Sequence, residues 1–410
     1  MNINEESRHI FEEFRRKIAR FPGRLHGTER QKWLLDVLEM SPLEVRETLR
    51  EVLEHHLRLM DEVEASDIDL GGAGCHGRIW YRIFGDKKPF PDSPELSMIE
   101  SDALLLNLLN KDQLEVLFHR RNLDFSYVVT DTDGKQRRFR ADLYFDLDHL
   151  ALNMRRIETE IRPFRGLELH PEIARALSFK YLKYGLTLVT GVTGTGKSTT
   201  LDTIIDANNR SVDGHILVVS SPIELVHQPI RCIVRHREVG RDVPTFREGI
   251  VQGMRQDPDI IVIGELRDDE SIMVALEVTD SGHKTFSTLH TASASESIDR
   301  IIGEVPEVQQ ERVRQRLADV ITCVISQKLV PTLDGKRVLA KEVMLATPSV
   351  KAAIRNNNVG EIYQMLAEGS QYGMHTLEQD LKRLVKQSVI SEEEALNFAN
   401  NKKRMSELLK

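Results

Sequence analysis

The sequence predicts an α/β chain: a largely parallel sheet covered by helices between about residues 165 and 345, an α+β stretch before it, and helical segments at both ends. Three observations carry this. Short apolar runs (Leu186 to Thr190, Ile216 to Val219, Ile260 to Ile263, Thr285 to Leu289) alternate with helical segments, the rhythm of βα units. A glycine-rich loop ending in Lys-Ser falls between the first of these strands and a helix. Apolar positions return to helical spacing before residue 62 and after Thr347-Pro348.

In chain order, residues 1–62 read as a helical appendage, with Leu34, Leu35, Val37 and Leu38, then Leu43, Val45, Leu49, Val52 and Leu53 on helical stripes. Ser41, Pro42 and Glu44 predict a capping-box start with proline at the first helical position. Residues 63–162 read as an α+β domain. Its signals are the alternation Asp67-Ile68-Asp69-Leu70, a strand over Arg78 to Phe84 and a helical run from Asp102 to His119. A hairpin follows, joining Phe125–Val129 to Arg137–Tyr144 across Asp131-Thr132-Asp133-Gly134. Residues 163–346 form the βα core, and 347–410 a helical C-terminal subdomain.

Composition limits the function classes. At 410 residues the chain has room for two to four domains, and 40% apolar with 29% charged residues is ordinary globular usage. Lys plus Arg total 56 against 64 Asp plus Glu, a net charge of −8, which argues against a surface built to hold nucleic acid. The apolar runs Ile260 to Ile263 and Val320 to Ile325 fall far short of the ~18 residues a membrane span needs. Cys75, Cys232 and Cys323 are far apart and suggest neither a disulfide framework nor a zinc cluster, which fits a reducing cytosol. Met1 to Ile10 carries Glu5, Glu6 and Arg8 with no apolar run behind it, so no secretory signal is expected.

The loop Gly191-Val192-Thr193-Gly194-Thr195-Gly196-Lys197-Ser198 satisfies the G-x-x-x-x-G-K-[ST] pattern of a phosphate-binding P-loop. Glycines let the backbone N–H groups wrap an anion; Lys197 reaches the β and γ phosphates of ATP, and Ser198 can ligate Mg²⁺. Thr199 opens the helix that follows. The run Asp259-Ile260-Ile261-Val262-Ile263-Gly264-Glu265 is an apolar strand ending in a carboxylate, as in a Walker-B strand, and makes Glu265 the candidate acid. The strand Thr285 to Leu289 ends in His290, an imidazole expected at the same edge of the sheet.

Beyond these, Pro222-Ile223-Glu224 with Val226-His227, Arg237-Glu238-Val239-Gly240, the run Arg255 to Asp268, Gly282-His283 through Thr291, and Gln371-Tyr372-Gly373-Met374 stand in a fixed order. On those motifs residues 63 to about 400 resemble the PilT branch of the type II/type IV secretion ATPases, the motors of type IV pili. The resemblance implies a RecA-like P-loop core, a PAS-like N-terminal domain, and a homohexamer hydrolysing ATP between subunits. It also implies peripheral work on the cytoplasmic face of the inner membrane, with a platform protein as partner. By motif match Glu224 would polarise the attacking water, Glu265 would be the Walker-B acid, and His290 and His283 would sense the γ phosphate. Arg140 and Arg155 match, at fifteen residues apart, two arginines that the family sets against a neighbouring subunit's nucleotide.

Three stretches depart from the family pattern: Ser220-Ser221 where the Asp box begins Glu-Asp, Asp142 to Asp148 between the two arginines, and Asn356-Asn357-Asn358 after Ala353-Ile354-Arg355. The chain also lacks the tetracysteine zinc module usual in assembly and secretion members, having only Cys323 in that region. Alternatives remain at this point: a weakly hydrolysing ring subunit assisting a paralogous motor, a secretion or conjugation ATPase, or, against the charge balance, a nucleic-acid motor.

Overall fold

The structure, a computed structural model, describes residues 5–83, 86–91, 95–130, 134, 136–157 and 160–410, with side chains from residue 7 onward. The chain divides into two compact units, Met1–Thr159 and Glu160–Lys410.

In the first unit the strands β1 (Ala65–Gly71), β2 (Trp80–Ile83), β3 (Asp86–Pro89), β4 (Asn122–Thr130), β5 (Gln136–Asp146) and β6 (His149–Ile157) form an antiparallel sheet. Its order is β3-β2-β1-β6-β5-β4. Alternation sends Ile68, Leu70, Phe139, Ala141, Leu143, Leu152 and Met154 to one face, where they share a single core with Phe14, Leu34, Leu49, Leu53 and Leu57. Thus the helices Glu5–Ile18, Gly27–Glu39 and Leu43–Glu62, expected as an appendage, bury their stripes in the same core as the sheet, except that Leu43, at the very start of its helix, stays exposed.

The expected capping box at Ser41 does not form. Pro42 itself is the N-cap, and the Ser41 hydroxyl turns back to donate to Val37 O at 2.6 Å. The run from Asp102 to His119 is broken into Met98–Leu106 and Lys111–Arg120, because Asn110 caps the second helix in a reciprocal pair with Gln113. The predicted hairpin is β4 with β5, but its turn residues 131–133 lie outside the described residues, as does Phe84 of the predicted strand.

The second unit carries β7 (Gly185–Thr190), β8 (Gly214–Ser220), β9 (Cys232–Glu238), β10 (Ile260–Ile263), β11 (Lys284–Leu289), β12 (Ile321–Pro331) and β13 (Arg337–Leu345), in the order β13-β12-β7-β11-β10-β8-β9. All neighbours are parallel except β12 and β13. β7, β10 and β11 are buried along their whole length; β10 accordingly reads as an unbroken apolar run, whereas the buried Lys284 and Ser287 of β11 donate to Ala176 O and Ile263 O. The chain leaves β7, skips two strand positions to β8, and later fills the gap with β10 and β11. Consequently the segments after β7, β10, β11 and β8 emerge side by side at one carboxyl edge. Five helices follow β13, from Pro348–Arg355 to Lys402–Leu409.

Candidate functional site

The P-loop joins β7 to the helix Lys197–Ser211 at that edge. Gly191 has φ 150°, and a Cβ there would stand 2.5 Å from Thr195 Oγ1 and 2.6 Å from Gln327 O, so only glycine fits. Gly194 and Gly196 are left-handed, with φ of 81° and 84°. Thr195 Oγ1 donates to Val192 O at 2.8 Å, and Gln327 on β12 donates from Nε2 to Thr195 O at 2.7 Å. The loop is therefore braced from inside before any ligand arrives.

Lys197 Nζ donates to Gly191 O at 2.9 Å and Val192 O at 3.2 Å. Burial lowers the pKa of this ammonium, and the nearby charges of Glu265 and Glu224 oppose that shift. Both acids picked out by their motifs are thus within electrostatic reach of the P-loop lysine.

Glu265 follows β10 and is shared by two partners: His290 Nε2 lies 3.0 Å from Oε1, and Arg267 Nε donates to Oε2 at 2.7 Å. His290, just past β11, is pushed toward the neutral form by burial and by the Lys197 charge. With Nε2–H donating to Glu265, the Nδ1 lone pair faces Lys197 Nζ and Thr193 Oγ1, each at 3.5 Å. Arg300 Nη1 holds the backbone by donating to His290 O at 3.0 Å.

Glu224 lies half-buried after β8. The neighbouring Ile223 N donates to Glu238 Oε2 at 3.3 Å, which ties the loop to the end of β9. His227, buried three residues on, contacts Asp202 Oδ1 at 3.0 Å through Nε2, so the same loop is fastened to the P-loop helix.

His283 is not brought to this site. Lys284 pairs with Gly185 and Leu289 with Thr190, so His283 precedes the amino end of β11, while the P-loop and His290 occupy the carboxyl end. Its Nδ1 is engaged by Ser281 Oγ at 2.9 Å and Val278 O at 3.2 Å. It drops out of the nucleotide contacts within this chain, because a six-residue strand separates the two ends by about 20 Å.

Arg140 and Arg155 are direct cross-strand partners on β5 and β6, so the fifteen-residue spacing becomes adjacency on one face of the antiparallel sheet. Arg155 Nε donates to buried Asp67 at 2.9 Å while its side chain stays 64% exposed; Arg140 Nε lies 3.8 Å from Asp124 Oδ1.

The donor set fits a triphosphate and a hard cation. Backbone N–H groups of a glycine cradle, an ammonium bound to loop carbonyls and a histidine, and the exposed hydroxyls of Ser198 and Thr199 converge at the start of one helix. Bound Mg²⁺ would neutralise phosphate charge, with Ser198 as its protein ligand.

Four residues that the structure implicates carry no role in the sequence pattern. Arg267 and Glu238 lay inside motifs already quoted, which was their signal. Gln327 and Glu342 had none, since each acts across the sheet. The buried Glu342 carboxylate on β13 accepts from Ala294 N at 2.8 Å and from Leu377 N, joining the helix after His290 to a C-terminal helix. Asn400 Nδ2 adds a bond to Ala292 O at 2.9 Å.

Comparison with known proteins shows the family. The profile of the type II/IV secretion system protein family matches residues 164–407. The type IV pilus retraction ATPase PilT of Pseudomonas aeruginosa is 36% identical over 331 residues, 81% of this chain and 93% of that protein. A twitching motility protein of Neisseria gonorrhoeae is 35% identical over 326 residues, 79% and 85% of the two chains. The crystal structure of the pilus retraction motor PilT with bound ADP superposes with a TM-score of 0.76 at 33% identity, covering 86% of this chain and 98% of that one. The order of the motifs, the braced P-loop and these likenesses together make the chain a member of the type II/IV secretion system protein family, and within it a PilT-like ATPase.

Proposed function

We propose that this ATPase is a motor of type IV pilus retraction, working as a homohexamer in the cytoplasm at the inner face of the membrane, on an inner-membrane platform protein. The observation that carries the reading is the convergence of Lys197, Glu265 and His290 at one sheet edge, in a chain that spans 93% of a retraction ATPase. Lys197 and the loop N–H groups would hold the β and γ phosphates of ATP. Glu224 would orient the attacking water, and Glu265 would keep His290 in the tautomer whose Nδ1 accepts from Lys197 and so steadies the ammonium at the phosphate site. Phosphoryl transfer to water depends mainly on positioning and charge neutralisation, so these groups suffice without a covalent step. Arg140 and Arg155 of one subunit would neutralise charge on the nucleotide of the next, coupling hydrolysis to movement around the ring.

Deleting the gene in a piliated host tests this. Over-piliated, non-motile cells are expected; unchanged piliation and motility would overturn it.

A second reading, a weakly hydrolysing ring partner of a paralogous motor, is favoured by one observation. Ser220 stands where the family carries an acid, and its hydroxyl fills the space beside Gly264, only 2.4 Å from where a Cβ of that glycine would lie. ATP binding without turnover by the purified chain would select it.

A further inference from the structure

The first unit holds a cleft of about 440 Å³ between the end of the helix Glu5–Ile18 and the start of Leu43–Glu62. Ile10, Phe14 and Val45 give it an apolar floor, and Arg16, Lys17 and Arg20 a cationic mouth, with Glu13 the one acid in its lining. The neighbouring Arg15 is consumed by Glu12 and Glu100 at 3.1 and 2.6 Å. By contrast, Arg16 and Arg20 make no side-chain hydrogen bond or ion pair among the described residues, and Lys17 Nζ reaches only Ser41 Oγ at 3.3 Å. Beside the mouth, Met40 and Leu43 flank the Ser41-Pro42 turn and are 72% and 70% exposed.

Two guanidiniums without a side-chain partner among the described residues, over an apolar floor, have the chemistry of an anion site with an apolar neighbour. Guanidinium binds phosphate oxygens in bidentate fashion, and large exposed apolar side chains next to cations are the pattern of a membrane-surface contact. No helix among the described residues is long and apolar enough to cross a membrane, so any bilayer contact there would be of this surface kind. We infer that this end of the first unit binds acidic phospholipid, with the headgroup phosphate held by Arg16, Lys17 and Arg20, and Met40 and Leu43 resting at the acyl boundary. The chain then touches the bilayer itself, in addition to any platform protein.

Flotation of the full-length protein, without ATP, on phosphatidylcholine vesicles with and without phosphatidylglycerol tests this independently of hydrolysis and retraction. Binding is expected only to the acidic vesicles and should weaken with salt. Arg16→Glu with Arg20→Glu should lower it on the order of 100-fold, as loss and reversal of surface charges require. Met40→Ser with Leu43→Ser should lower binding several-fold while leaving its dependence on phosphatidylglycerol. All four positions are exposed, so an unchanged melting temperature verifies folding. Equal binding to neutral vesicles, no binding to acidic ones, or binding that survives the double charge reversal would each overturn the inference. So would saturable binding of inorganic phosphate, sensitive to the same variants, in a protein that ignores vesicles, since that is a soluble-anion site.

Discussion

His290 Nε2 lies 3.0 Å from Glu265 Oε1, so the residues that follow β11 and β10 are joined by a side-chain contact at the mouth of the P-loop. The contact fixes the imidazole tautomer and aims Nδ1 toward Lys197. Glu265→Gln should retain ATP binding and lower hydrolysis about 10²- to 10³-fold, the range for loss of one preorganised electrostatic group. Equilibrium binding beside steady-state turnover separates the two effects.

The pH profile should carry the mark of His290. Its pKa is lowered below 6.5 by burial and by Lys197, so the ring is neutral at pH 7 and protonates only in more acid solution. Protonation removes the Nδ1 lone pair and sets a second cation beside Lys197. Turnover should therefore fall on an acid limb lying below pH 6.5, and His290→Gln should remove that limb.

Lys197→Ala should weaken ATP binding roughly 100-fold, the value of a few charge-assisted hydrogen bonds to phosphate. Folding should persist, because among the described residues the ammonium hydrogen-bonds to loop carbonyls and His290 alone. Titration with a fluorescent ATP analogue and a melting curve check both halves.

Arg140→Ala or Arg155→Ala should leave ATP binding unchanged and cut turnover by about 10³-fold in the assembled protein, if the pair serves a neighbouring subunit's site. The two positions face each other across β5 and β6, so the double variant should cost little more than either single one. Turnover in single and double variants measures this coupling.

Glu342 supplies a stability prediction. Burial raises its pKa from the ordinary 4.5 to about 7, against the pull of two backbone N–H donors. The folded state thus holds a proton that the unfolded state has lost. That contribution is fully present below pH 4.5 and is lost as pH rises through about 7. Glu342→Gln should flatten the decline in melting temperature over this window, as thermal melts at stepped pH would show.

Much of the second unit was legible because its signals are local. The apolar run Ile260 to Ile263 coincides with β10 to the residue, and the P-loop carries its own chemistry in eight consecutive positions. The ends of β7, β8 and β11 differ by a residue or two, where ladder bonding continues past the apolar run. What escaped depends on residues far apart in sequence. Ser41 looked like a cap, but Val37 O offered its hydroxyl a nearer partner. His283 shared a motif with His290, yet six strand residues put it at the wrong end of β11. Gln327 and Glu342 act from β12 and β13, strands that the spacing of apolar residues did not separate from the helices beside them.

Whether Glu224 drives hydrolysis at this site is decided by steady-state ATP turnover of the purified full-length chain beside its Glu224→Gln variant. The intact protein should show Mg²⁺-dependent turnover, and the variant should lose it while retaining ATP binding. An intact protein that binds ATP without turning it over, or a Glu224→Gln variant that hydrolyses at the parent rate, would contradict that expectation.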